Sequence, residues 1–270
     1  MRLGKLLVCC VSLVIATCAQ AIAEDASLAQ ELSNPIASLI SVPFQFNYDQ
    51  NIGPEEEGHR LTLNIQPVIP ISLNDDWNVI SRTIVPIVSQ DDIFPGAGDQ
   101  FGLGDTVQSL FFSPASPGPS GIIWGAGPVF LVPTGGLSDD LLSSEKWGAG
   151  PTGVVLKQTG GWTYGALANH IWSFAGDDDR TDVNATFIQP FLSYTTPDAW
   201  TFSLNTETTY NWETEEWTVP VNGIVSKLLT FGTQPVSLAA GVRYYVESSD
   251  SGPHGWGARL AVTFLFPTKN

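Results

Sequence analysis

Two stretches, ISVPFQFNY (residues 40–48) and LTLNIQPVIPISL (residues 61–73), decide how this chain folds. In the first, Ile40, Val42, Phe44, Phe46 and Tyr48 alternate with Ser41, Pro43, Gln45 and Asn47. In the second, Leu61, Leu63, Ile65, Pro67, Ile69, Ile71 and Leu73 alternate with Thr62, Asn64, Gln66, Val68, Pro70 and Ser72. A period of two is the mark of a strand with one apolar and one mostly polar face.

The same period runs to the C-terminus, predicting further strands near 77–90, 101–114, 122–134, 147–159, 162–175, 185–196, 200–212, 217–229, 235–247 and 256–266. Most are ten to fourteen residues long. Strands of soluble proteins average about five or six residues, whereas a tilted membrane-spanning strand needs about 9 to 11. The expected fold is therefore all-β: a transmembrane antiparallel β-barrel of about twelve strands with both termini in the periplasm.

Connections and charge agree with this. Long stretches near 50–60, 91–100, 136–146, 176–184, 213–216 and 248–255 alternate with tighter ones at 74–76, 115–121, 160–161, 197–199 and 230–234, as outer loops alternate with inner turns. Of 27 acidic residues, 19 fall in the outer set and its strand ends, from Asp49 to Asp250. Only Asp105 and Glu207 are read as lying well inside strands, so charge is kept from a zone where desolvation is costly.

The nine tryptophans each lie within three residues of an expected strand end. Trp77, Trp124, Trp162 and Trp200 would line the inner rim, and Trp147, Trp172, Trp212, Trp217 and Trp256 the outer. Trp162 to Trp172 and Trp200 to Trp212 share a face, ten and twelve residues apart. At about 3.3 Å per residue and a tilt near 40° that is a climb of roughly 25–30 Å, the height of an apolar band between two aromatic girdles.

The N-terminus carries Arg2 and Lys5, an apolar stretch from Leu6 to Ala16 and a small-x-small site at Ala21-Ile22-Ala23, the layout of a secretory signal peptide. Its apolar core is shorter than the roughly 20 residues a spanning helix requires. Removing it leaves 247 of 270 residues and, with two basic residues gone, moves the net charge from −16 to −18. Cys9, Cys10 and Cys18 all leave with it, and Thr17 is bulky for the position before a lipid-modified Cys18. The charge disfavours nucleic acid as a partner. The expected organisation is a signal peptide (1–23), a periplasmic or lumenal segment (24–39) with a short helix near Ser27–Leu32, and the barrel (40–270).

Five charges fall on the face opposite the apolar one: Arg82, Asp105, Glu207, Arg243 and Arg259. They would gather at mid-height in the lumen, either as a ring that filters solutes or as ion pairs, Arg82 with Asp105 and Arg243 with Glu207 or Arg259 with a neighbour. Lys157 and Lys227, ten residues after Trp147 and Trp217, suit the inner rim, where a lysine snorkels to water. The histidines read His59-Arg60-Leu61, His170-Ile171-Trp172 and His254-Gly255-Trp256, none with the His-x-Ser of hydrolytic barrels, and no metalloprotease or nucleophile-elbow motif occurs. No cofactor is expected. Glu55-Glu56-Glu57 and Asp177-Asp178-Asp179 lack calcium-loop spacing and read as solvated loop charge, bridged through divalent cations to lipopolysaccharide. The repeated Trp-Gly-Ala-Gly-Pro at Trp124 and Trp147 reads as two similar strands of one hairpin.

NPIASLISVPFQFNYDQN (34–51), QPVIPISLNDDWNVISRTIVPI (66–87), FGLGDTVQSLFFSP (101–114), WGAGP and WTVPVN (217–222) resemble a family of bacterial outer-membrane transporters related to the barrel proteins of the meta-pathway of phenol degradation. That resemblance implies passage of small aromatic or hydrophobic molecules through a Gram-negative outer membrane. The final strand, Arg259 to Phe266, resembles the C-terminal signal read by the barrel assembly machinery, departing from it at Ala261 and in the four residues after Phe266. The expected function is thus a porin-like channel or transporter for small cargo. The rival readings are a lipid-modifying outer-membrane enzyme and a secreted or structural β-protein.

Overall fold

A computed structural model describes residues 24–267. The export segment with its three cysteines, and residues 268–270, lie outside the described residues. Fifteen strand segments form one antiparallel sheet, and three pairs of segments are collinear halves of a single strand, so the described chain has twelve strands. They are β1 (Ile40–Ile52), β2 (Gly58–Ile65 and Val68–Ser72), β3 (Trp77–Asp91), β4 (Gln100–Leu103 and Thr106–Pro114), β5 (Ile122–Val132) and β6 (Lys146–Thr159). The second half comprises β7 (Trp162–Gly176), β8 (Asn184–Thr195), β9 (Trp200–Thr206 and Thr208–Asn211), β10 (Glu216–Phe231), β11 (Gln234–Glu247) and β12 (Gly255–Phe266). Each strand pairs with its sequence neighbours, and β1 pairs with β12 from Ile40 opposite Phe266 to Tyr48 opposite Ala258. The sheet therefore closes into a barrel and leaves no unpaired edge.

At the end that carries both described termini, here the near end, the turns are short. The tightest are Gly160-Gly161 and Gly232-Thr233; at the first, φ of 55° and 85° gives the left-handed backbone a two-residue hairpin needs. The far end carries the longer connections, among them residues 133–145 with two 3₁₀ turns, Gly135–Leu137 and Asp140–Leu142.

The barrel is inside-out relative to a soluble protein. Buried side chains include Ser41, Asn47, Asp49, Gln90, Thr163, Asn222, Arg243, Arg259 and Thr263, all polar. Phe46, Val155, Leu204, Val242 and Leu260, from five different strands, are exposed at mid-strand. A continuous outer belt of this kind cannot face water and requires lipid. No described helix is long and apolar enough to cross a membrane, and the crossing is made by strands.

All nine tryptophans lie outward, 38–60 % exposed, and gather at the two ends. At the near end the rings of Trp77 and Trp124 meet edge to face at 6.0 Å, and Lys227 lies over Trp200 at 5.2 Å. At the far end Tyr210 stacks between Trp212 and Trp217 at 4.8 and 4.7 Å, and Tyr244 contacts Trp256 at 4.9 Å. These amphipathic rings suit the two lipid–water boundaries. The repeated Trp-Gly-Ala-Gly-Pro motifs run antiparallel in β5 and β6 and meet head to head, Pro128 opposite Pro151. Each glycine before its proline takes the close approach of the next strand, since a Cβ on Gly127 or Gly150 would lie 2.0 Å from the Leu110 carbonyl oxygen or 1.7 Å from that of His170.

Residues 24–32 are helical, one turn earlier than expected. Glu24 and Asp25 favour a helix N-terminus, and Pro35 biases Asn34 away from the helical conformation. The segment enters the near end of the barrel. Ala29, Ala37 and Leu39 pack on Ala199, Leu228 and Leu265, and Ile36 seats among Ile80, Phe111, Val154, Leu156 and Leu167. Gln158 Nε2 donates to the Gln30 carbonyl at 2.7 Å, tying helix to wall. Hydrophobic burial and this hydrogen bond make residues 24–39 a lumenal plug.

Candidate functional site

Above the plug the lumen opens into a cavity of ≈ 570 Å³ with two unlike walls. One, from β9–β12 and β1–β3, is mostly polar and charged; the other, from β3–β8, carries Ile84, Val107, Leu131, Ile171 and Phe187, with Ser109, Asn169 and Gln189 among them.

Arg82, Glu207, Arg243 and Arg259, four of the five charges expected in the lumen, line this cavity. Glu207 stands where β9 is interrupted, opposite Pro220, which has no N–H to give the ladder. Its carboxylate receives Arg259 through both prongs, Nη1 to Oε1 and Nη2 to Oε2 at 2.8 Å each, and Arg243 Nη2 at 3.4 Å. Arg259 also donates Nε to Asn47 Oδ1 at 2.7 Å. Arg243 reaches Asp49 at 3.3 Å, and the Tyr245 ring lies 5.2 Å from its guanidinium. Gly257 makes room for this pair, since a Cβ there would meet Arg243 Cγ at 2.8 Å and Asp49 Oδ1 at 2.9 Å.

Asp105 is the exception and corrects the sequence reading. It sits at the break in β4, where pairing with β3 slips by one residue: Leu103 opposes Ile87, but Val107 opposes Ile84. Asp105 shares the parity of Val107 and Ser109, which line the cavity, but the bulge lies at its own position and frees its side chain for another partner. Its carboxylate instead staples the 133–145 loop, accepting from Gly135 N at 3.2 Å, Ser143 Oγ at 2.6 Å, and Ser144 N and Oγ at 2.7 and 2.6 Å. The expected Arg82–Asp105 pair is therefore not formed, while Arg243–Glu207 is.

Two further charged residues join the site. Asp49, expected among the outer acids, and Arg60, in an expected outer loop, stand opposite each other across β1 and β2 and both line the cavity. The signal was present, because Asp49 continues the polar series Gln45, Asn47, and Arg60 begins the series Thr62, Asn64, Gln66. Arg60 donates Nε to Gln90 at 2.7 Å and Arg82 donates Nη2 to Gln66 at 3.3 Å, both neutral acceptors. Of five arginines after residue 23, only Arg180 lies elsewhere, so four converge on one cavity in a chain of net charge −16. His170 is a far-end residue, its ring 3.9 Å from Trp172 and Nδ1 2.7 Å from Thr186 Oγ.

No protein-family model and no curated protein matches the sequence. In structure the chain is similar to the COG4313 outer membrane channel from Pseudomonas putida F1, at TM-score 0.65 and 13% identity over 85% of this chain and 96% of that one. It is also similar to the NanC porin, at TM-score 0.50 and 10% identity over 83% and 98% of the two chains. Outer membrane phospholipase A from Escherichia coli matches at TM-score 0.50 and 12% identity over 86% and 100%. The shared property is the fold, a closed outer-membrane β-barrel; that it hosts both channels and a phospholipase shows that activity must be argued from the lumen.

Proposed function

We propose that this protein is an outer-membrane channel for small solutes, its near end and both termini in the periplasm and its acidic loops outside. The observation that carries the reading is the ≈ 570 Å³ cavity, lined by convergent arginines and carboxylates inside a barrel whose outer surface is apolar. Polar groups fixed around a lumen choose solutes by size and field. Residues 24–39 act as the near-end constriction, and the resemblance to the phenol-pathway barrel proteins favours aromatic or hydrophobic cargo. The hydrolase alternative lacks its chemistry, since none of the three His-x-x triplets supplies the serine.

Osmotic swelling of vesicles containing the purified protein tests this. Swelling faster than protein-free vesicles is expected for solutes of amino-acid size and not for trisaccharides. Equal rates with and without folded protein for every solute would overturn the assignment.

A further inference from the structure

On the channel reading just given, we propose that the lumen selects small carboxylates bearing an apolar body, the carboxylate held by Arg60 and Arg82 and the body laid on the opposite wall. The cavity holds four guanidiniums against two carboxylates, Asp49 and Glu207, a net charge of +2 within a strongly acidic chain. The two carboxylates are already engaged. Glu207 is taken by Arg259 and Arg243, and Asp49 by Arg243. Arg60 and Arg82 are held through one nitrogen each by the neutral amides of Gln90 and Gln66, which orient them without cancelling their charge. Among the described residues neither has a carboxylate within ion-pairing distance, so further N–H donors remain for an incoming anion. A planar fork of that kind matches a carboxylate.

The β4–β8 side of the cavity supplies the second half of the specificity. Val107, Leu131, Ile171 and Phe187 offer no hydrogen bond to a solute and favour an apolar group over a hydration shell, while Ser109, Asn169 and Gln189 beside them carry no charge. A fully inorganic anion satisfies only the arginines, and a neutral aromatic only the apolar wall. The acidic far-end loops do not reverse this preference at physiological salt, because charges more than about 8 Å from the path are screened.

Arg82 has a further position of interest. It borders both the cavity and the crevice beneath Leu32, Asn34 and Ala37, so an anion bound there touches the plug.

The test is single-channel recording of the purified full chain in planar bilayers, with a KCl gradient and then with benzoate, acetate, phosphate or benzyl alcohol added. Reversal potentials should show chloride preferred over potassium. Benzoate should interrupt the current at about tenfold lower concentration than acetate or phosphate, and benzyl alcohol should not interrupt it. Arg60→Gln and Arg82→Gln should each weaken the benzoate block by about tenfold, the loss of one charge-assisted contact. Arg82→Lys, which retains charge without the fork, should fall between; heat-dependent migration on gels checks that each variant is folded.

Cation preference, equal block by benzoate and benzyl alcohol, or block unchanged in both folded glutamine variants would overturn the carboxylate proposal and leave the channel standing. Absence of any conductance from folded protein would instead remove the channel reading itself.

Discussion

Arg259 on β12 and Glu207 on β9 are joined by two parallel 2.8 Å hydrogen bonds, although β10 and β11 lie between their strands in the wall. The pair fastens side chains across a curved wall and is one half of a cluster whose other half is Arg243 with Asp49. Arg243 and Arg259 are only 8% and 4% exposed, so they depend on Glu207 for compensation.

Glu207→Gln should accordingly destabilise the barrel by about 3 kcal/mol, the cost of leaving buried charge without its partner. It should also make the lumen more positive and strengthen its preference for anions. Urea unfolding in lipid vesicles and reversal potentials measure the two effects; an unchanged midpoint would show that lumenal water compensates the arginines without Glu207.

Ile36 is the apolar anchor of the plug, 3% exposed among Ile80, Phe111 and Leu167. Ile36→Ala removes packing worth about 2–4 kcal/mol at a well-filled site. Residues 24–39 should become accessible to protease, and the channel should pass larger currents. Protection equal to the parent protein would mean the helix is held by Gln30 and its hydrogen bonds rather than by Ile36.

Asp105→Ala separates loop from lumen. The substitution removes four of the hydrogen bonds that fix residues 133–145, at a local cost of about 2 kcal/mol, and should raise amide exchange there. Ion selectivity should not move. A change in selectivity comparable to that of Glu207→Gln would return Asp105 to the conducting path.

The 177–183 loop should respond to acid. Asp182 accepts from Lys146 Nζ and from Ser173 Oγ, both at 3.0 Å, and these bonds, the lysine first, hold its carboxyl below the ordinary aspartate range. A lowered folded value means that the contribution is present above the unfolded aspartate value, about 3.9, and is lost as pH falls through the folded one. Limited proteolysis of this loop should therefore stay constant from neutral pH to about 4 and rise only in stronger acid. In Lys146→Gln the rise should begin nearer the ordinary value; identical profiles would remove the lysine from the account.

Most of the wall was legible because a lipid-facing strand obeys a strict rule. β7 runs in one register from Trp162 to Trp172 and β10 from Pro220 to Phe231, so parity alone places Trp162, Trp172 and Lys227. Parity gives a face but not a partner. At the Gly104-Asp105 bulge the Asp105 carboxylate turns to the 133–145 loop, and no residue type announces it, since glycine and aspartate suit turns as well as bulges. Arg60 and Asp49 were hidden by a different cause: β1 and β2 run four and three residues further than their alternation suggested, which brings both residues inside the barrel. Pairing partners such as Glu207 with Arg259 depend on which strands meet around the circumference, and spacing along one chain does not carry that information.

The central claim is that a path for small solutes runs through this barrel and is narrowed by residues 24–39. Step conductance in a planar bilayer tests it most directly, comparing the intact protein with an otherwise identical chain in which Ile36, Ala37 and Leu39 are changed to serine. Discrete steps from the intact protein, larger in the serine variant, are the expected result. A folded, membrane-inserted protein giving no current above the bare bilayer in either form would contradict it.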